Sequence, residues 1–183
     1  MTRYFAFLRA INVGGHTVKM EALRRNFEEL GFAGVETFIA SGNVIFETGN
    51  GPVTELENRI EAGLAETLGF KPVVFLRTLP ELTQIVACQP FPEEQFARAT
   101  AFNVAFLKEQ PKEAAISRLM ALQNEIDAFA VLGREMFWLC EVRQSESKFA
   151  NTVGEKALGQ PATMHQVSTM QRLVDKYKKQ SLP

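Results

Sequence analysis

The chain has 183 residues, with 20 Lys and Arg against 21 Asp and Glu and a formal net charge of -1. Hydrophobic residues make up 46% of it, enough for a packed core, so disordered, collagen-like and disulfide-scaffold readings are excluded. The near-neutral balance also argues against nucleic acid as a partner, because coating phosphate backbones needs clustered excess Lys and Arg.

Arg3 to Leu8 reads as a short, aromatic, buried strand, too short for a secretory core or a membrane span. After the loop Ala10 to His16, the positions Met20, Leu23, Phe27 and Leu30 recur at helical spacing, and Gly31 stops the helix. Val35–Ala40 and Asn43–Glu47 are β-rich runs joined by Ser41-Gly42, a hairpin signal. Pro52 suits the first position of a second helix carrying Val53, Leu56, Ile60, Leu64 and Leu68, ended by Gly69. Val73–Arg77 completes a β-α-β-β-α-β order, the split βαβ unit. Thr78-Leu79-Pro80-Glu81 resembles a capping box opening a short helix through Ile85, and Gln89-Pro90-Phe91-Pro92 is the linker candidate.

The second half repeats the order. Ala101–Lys108 is a strand and Pro111 opens a helix with Ile116, Leu119, Met120 and Leu122. Phe129–Leu132 and Met136–Cys140 form a hairpin around Gly133-Arg134. Ser147–Leu158 reads as a helix ended by Gly159, and Pro161–His165 as the last strand. A final helix from about Ser168 to Gln180 presents Met170, Leu173, Val174 and Tyr177 on one face, with Lys176, Lys178 and Lys179 at a solvated end. The expectation is therefore an α+β chain of two tandem ferredoxin-like (split βαβ, α/β plait) units with a C-terminal helix, over residues 1–90 and 91–183.

Strands such as Tyr4–Leu8 and Met136–Leu139 are apolar toward both faces, so neither sheet is expected to leave one face bare. That argues against RNA recognition through aromatics on an open sheet. Cys88 and Cys140 lie among apolar neighbours with no CxxC, which points to buried reduced thiols and a cytoplasmic location.

In a split βαβ unit, the end of the first strand, the start of the first helix and the strand 2–3 hairpin share one rim. That rim collects Arg9, Asn12, Gly14, Gly15, His16 and Lys19 from one loop and Ser41, Gly42 and Asn43 from the other. Adjacent glycines before a helix let backbone N–H groups point outward, and the helix dipole favours an anion there. The competing reading is a turn whose glycines merely permit positive φ, since no GxGxxG or GxxxxGK pattern is present. Other constellations fail. Two histidines, His16 and His165, do not make a zinc site, and Ser41 is not in a GxSxG elbow. Glu28-Glu29 and Glu55/Glu57 read as solvated helix faces. No metal and no cofactor is expected.

At these loops the sequence closely resembles an uncharacterised bacterial family, the domain of unknown function 1697. The matching pieces are Leu8-Arg9-Ala10-Ile11-Asn12-Val13-Gly14-Gly15, Lys19-Met20 and Ser41-Gly42-Asn43-Val44. Further along come Ser147-Lys148, Asn151, Glu155-Lys156, Leu158-Gly159 and Ala162-Thr163. The resemblance implies a duplicated α/β plait and leaves the activity unassigned. The chain departs from the family pattern at Ala10, where Gly is usual. It departs again at Glu146, where Arg is usual, and at His165-Gln166-Val167, where Arg-Asn-Trp is usual. Lys148 and His165 are expected on one rim of the second unit, forming a second candidate site or facing the first across the inter-domain cleft, and the loss of two arginines weakens any anion site there.

The leading functional reading is binding of a small anionic or nucleotide-like ligand at Arg9, Asn12, Gly14, Gly15, Lys19, Ser41 and Asn43. An enzyme acting on such a ligand, with His16 as general acid or base and Lys19 or Lys148 stabilising charge, is the alternative. A protein-interaction or RNA-associated module is the third class.

Overall fold

The computed structural model describes residues 1–9, 11, 18–38, 42–49 and 51–180. Two compact units divide the chain, Met1–Leu82 and Thr83–Pro183.

In the first unit the elements are β1 (Thr2–Arg9), α1 (Met20–Glu29), β2 (Ala33–Phe38), β3 (Asn43–Thr48), α2 (Val53–Leu68) and β4 (Val73–Thr78). The sheet order is β2-β3-β1-β4 with every neighbour antiparallel, the arrangement of the ferredoxin-like unit. Alternation along β1 sends Tyr4, Ala6 and Leu8 into one cluster with Leu23 and Phe27 of α1, Phe46 of β3 and Ile60 and Leu64 of α2. Burying a side chain such as Phe27 or Phe46 contributes about 1.5–3 kcal/mol. Phe5, Phe7 and Phe75, on the opposite face, are equally buried, so neither face of β1 is bare. Pro52 precedes α2 rather than opening it: its backbone is extended, and its carbonyl accepts the N–H of Leu56. The helix ends where Gly69 adopts a left-handed conformation.

Glu57 corrects the sequence reading. It is buried, not solvated: its carboxylate accepts the N–H of Leu76 at 2.9 Å, and Glu61, one turn on, accepts that of Val74 at 2.9 Å. Both N–H groups belong to β4, an edge strand whose outward donors would otherwise be orphaned or open to another strand.

Thr78 and Glu81 form the expected capping box. Glu81 accepts the Thr78 N–H at 2.7 Å, and the Glu81 N–H donates to Thr78 Oγ1 at 3.4 Å. The helix it opens, α3, runs through Leu79–Ala87.

The second unit begins its plait after a helix the sequence pattern did not reveal, α4 (Glu93–Arg98). There follow β5 (Ala101–Leu107), α5 (Glu113–Met120), β6 (Asp127–Leu132), β7 (Glu135–Cys140), a 3-10 turn at Gln144–Glu146, α6 (Asn151–Leu158), β8 (Ala162–Gln166) and α7 (Val167–Gln180). Sheet order is β6-β7-β5-β8, again antiparallel throughout, which repeats the first unit strand for strand. Phe91, just before α4, packs edge-on against Phe96 and Phe102, so the proline-rich segment is held by aromatic contacts. Helix α5 starts two residues after Pro111, with Lys112 in the capping position. On one face, Trp138, Met136, Phe129 and Phe149 pack with α5 and α6. Helix α7 packs on β5 and β8, burying Met170, Leu173, Val174 and Tyr177 as its spacing predicts.

The expected helix from Ser147 is shorter than the sequence suggests, and Ser147 and Lys148 lie outside it. Asp127 explains the shortening. It is buried at the start of β6, and the Ser147 hydroxyl lies 2.9 and 2.8 Å from its two carboxylate oxygens. Ser147 Oγ in turn accepts the N–H of Phe149 at 2.9 Å. That local bond replaces a helical one, and α6 begins only after Ala150, whose backbone is extended.

Candidate functional site

Of the first rim, Arg9, Lys19, Gly42 and Asn43 are among the described residues; Asn12, Gly14, Gly15, His16 and Ser41 lie outside them. The hairpin turn and the end of β1 come together. The Leu8 N–H donates to the Gly42 carbonyl at 3.4 Å, and Phe7 is registered opposite Asn43. Gly42 has φ +80°, and a Cβ on it would stand 3.2 Å from the Ile11 side chain. Ile11, two residues beyond β1, thus packs against the turn at Gly42, and a larger residue at 42 would meet both backbone strain and that contact.

Alternation sorts the rim by face. Leu8 and Val44 point toward α1 and α2, so Arg9 and Asn43 fall on the other face of the sheet. Arg9 is half-buried at the strand end, opposite Val73, and Asn43 is buried. Lys19 is exposed and occupies the capping position of α1 with no side-chain cap. The rim therefore brings two cations, a glycine turn and an amide side chain to one end of the sheet, but presents them on two sides of it.

The second rim is different. Its polar groups are engaged in structure. Asp127 accepts hydrogen bonds from Trp138 Nε1 at 2.8 Å and Asn124 Nδ2 at 3.1 Å as well as from Ser147. This network pins residues 141–150 to the helix-covered face of the sheet. Asn151 Nδ2 donates to the Ala162 carbonyl at 2.9 Å and Glu155 accepts the Ala162 N–H at 2.7 Å. Together they close the edge of β8 as Glu57 and Glu61 close that of β4. Lys148 is exposed in the bend after the 3-10 turn. His165 lies on the other face, opposite Val104, its ring 5.6 Å from that of Phe106 and its Nε2 3.2 Å from Thr163 Oγ1. Burial pulls the His165 pKa down to about 4, which keeps the ring neutral at pH 7. Lys148 and His165 thus share an end of the sheet without sharing a face.

Other chemistry is sparse. Burial raises both thiols, that of Cys88 and that of Cys140, which disfavours the nucleophilic thiolate; Cys140 Sγ donates to the Val142 carbonyl. Among the described residues no group of three His, Cys, Asp or Glu side chains is placed to hold a metal ion, and no helix is long and apolar enough to cross a membrane. A cleft of about 520 Å³ in the second unit lies between the β5–α5 loop and the α6–β8 turn. Sequence reasoning did not single it out; the signal available was the pair Lys108 and Lys112 flanking Pro111.

The family described as "Protein of unknown function (DUF1697)" matches residues 1–137, ending inside β7. The conserved bacterial protein SP0830 from Streptococcus pneumoniae is similar in structure, with a TM-score of 0.77 at 23% sequence identity, over 97% of this chain and 99% of that one. That likeness carries the fold alone. No curated protein matches the sequence.

Proposed function

The chain belongs to the family of proteins of unknown function DUF1697, and we propose that within it this protein binds a small anionic or nucleotide-like ligand at the rim of its first unit. Arg9, Asn12, Gly14, Gly15, Lys19, Ser41 and Asn43 form the site in this reading. The observation that supports it is the junction of Leu8 and Ile11 with Gly42, which brings the end of β1 and the glycine before β3 to the same end of the sheet as Arg9. Lys19 at the uncapped start of α1 adds positive charge where the helix dipole already favours an anion. Arg9 supplies a planar, permanently charged fork suited to carboxylate or phosphate. We also propose a cytoplasmic location, supported by the free thiols of Cys88 and Cys140.

A thermal-shift panel of AMP, ATP, glucose 6-phosphate and inorganic phosphate tests the reading. The expected result is a concentration-dependent rise in Tm with at least one organic phosphate, smaller in Arg9→Ala and in Lys19→Ala than in the wild type. A wild-type protein that shifts with none of them overturns it.

A further inference from the structure

We propose that the second unit carries an organic-anion site of its own, in the cleft between the β5–α5 loop and the α6–β8 turn, taking a phosphomonoester with a compact apolar body. The cleft's volume of about 520 Å³ is in the range of small-molecule sites. Its ionic lining is Lys108, Lys112 and Arg118 against the single carboxylate of Glu109, a local excess of two positive charges in a chain whose total is -1. That excess matches the dianion of a phosphomonoester and falls short of a triphosphate.

Two of these cations have no competing anion. Among the described residues, neither Lys112 nor Arg118 forms an ion pair. Arg118 is nevertheless fixed in place, because its Nε donates to the Ala157 carbonyl at 3.0 Å while Nη2 lies beside Gly159. Its remaining N–H donors are free to grip an oxyanion. The two walls are also tied to each other. Gln160 accepts the Glu109 N–H at 3.1 Å and donates to the Glu109 carbonyl at 3.1 Å, so the loop is held before any ligand arrives. The lining also includes exposed Ala114 and half-buried Pro161, which give the organic part of a ligand an apolar surface to cover.

Heteronuclear NMR of the full chain tests this, with phenyl phosphate, inorganic phosphate and benzyl alcohol as probes. Phenyl phosphate is expected to move the amides of Ala114, Ala115, Gly159 and Gln160 saturably, and inorganic phosphate to bind more weakly. Lys112→Gln and Arg118→Gln are each expected to weaken binding roughly tenfold, the loss of one charge-assisted hydrogen bond. Lys112 is exposed, so its variant keeps the fold, which the dispersed spectrum verifies. Arg9→Ala leaves these shifts unchanged, separating this site from the rim of the first unit. Absence of a saturable shift overturns the proposal. So does equal binding of benzyl alcohol, equal binding of inorganic phosphate, or an affinity that Lys112→Gln does not alter.

Discussion

The two plaits share one strand order and use their buried polar groups for different ends. In the first unit, Glu57 and Glu61 each spend a carboxylate on one N–H of the edge strand β4. In the second, a single residue of β8, Ala162, is held at both its N–H and its carbonyl by Glu155 and Asn151. The buried carboxylate Asp127 serves instead to bind a loop. The connection after the first strand differs as well. Residues 10–19 separate β1 from α1, whereas only residues 108–112 separate β5 from α5, and the shorter one is clamped by Gln160. A duplicated scaffold thus keeps its topology by protecting the same edge in each copy, and leaves its rims open to divergence.

The largest expected effect breaks the second unit. Asp127→Ala strips a charged acceptor from Trp138 Nε1 and Ser147, and it is expected to lower unfolding free energy by about 3 kcal/mol in urea titration. Hydrogen exchange should quicken in residues 141–150 first and leave β1–β4 protected. Equal loss in both units would erase the distinction between them.

His165 supplies a pH test confined to the second unit. Its ring is neutral above pH 6.5 whether the chain is folded or not, so it adds no pH dependence there. Between pH 6.5 and about 4 the unfolded chain takes up a proton that the folded one refuses. Stability therefore falls as pH falls through that window, on the order of 2 kcal/mol. His165→Gln should flatten this part of a stability–pH curve, and an unchanged slope would contradict the assignment.

The edge clasps sharpen the comparison on a smaller scale. Glu57→Ala is expected to destabilise by about 2 kcal/mol and Glu155→Ala by about 1 kcal/mol, because Glu57 is buried whereas Glu155 is half-buried, so water reaches the second site more readily. Amide exchange at Leu76 and Ala162 reads the two directly. The smallest effect lies at α3, where Thr78→Ala removes half of the capping box and is expected to remove about 0.5 kcal/mol.

The strand order was legible because each element carries its own period and its own stop, as Phe27 and Gly31 do for α1 or Gly133 for the β6–β7 hairpin. What escaped notice depends on partners distant in sequence. Glu57 on a helix reads as solvated until the edge of β4 is beside it. Ser147 reads as a helix start until Asp127 captures its hydroxyl. Helix α4 has too few residues to display a period and is held by Phe96 against Phe102. At the rim, the meeting of the β1 end with the Gly42 turn follows from topology, and the side taken by Arg9 and Asn43 follows from counting along the strands. Lys148 and His165 stand at one end of their sheet on different faces, which element order alone does not convey.

Calorimetric titration of AMP into the wild-type chain and into an Arg9→Ala, Lys19→Ala double variant tests the anion-binding rim most directly. Saturable heat in the wild type with a component at least tenfold weaker in the double variant is the predicted result. Superimposable titrations of the two proteins, or no heat in the wild type, would contradict it.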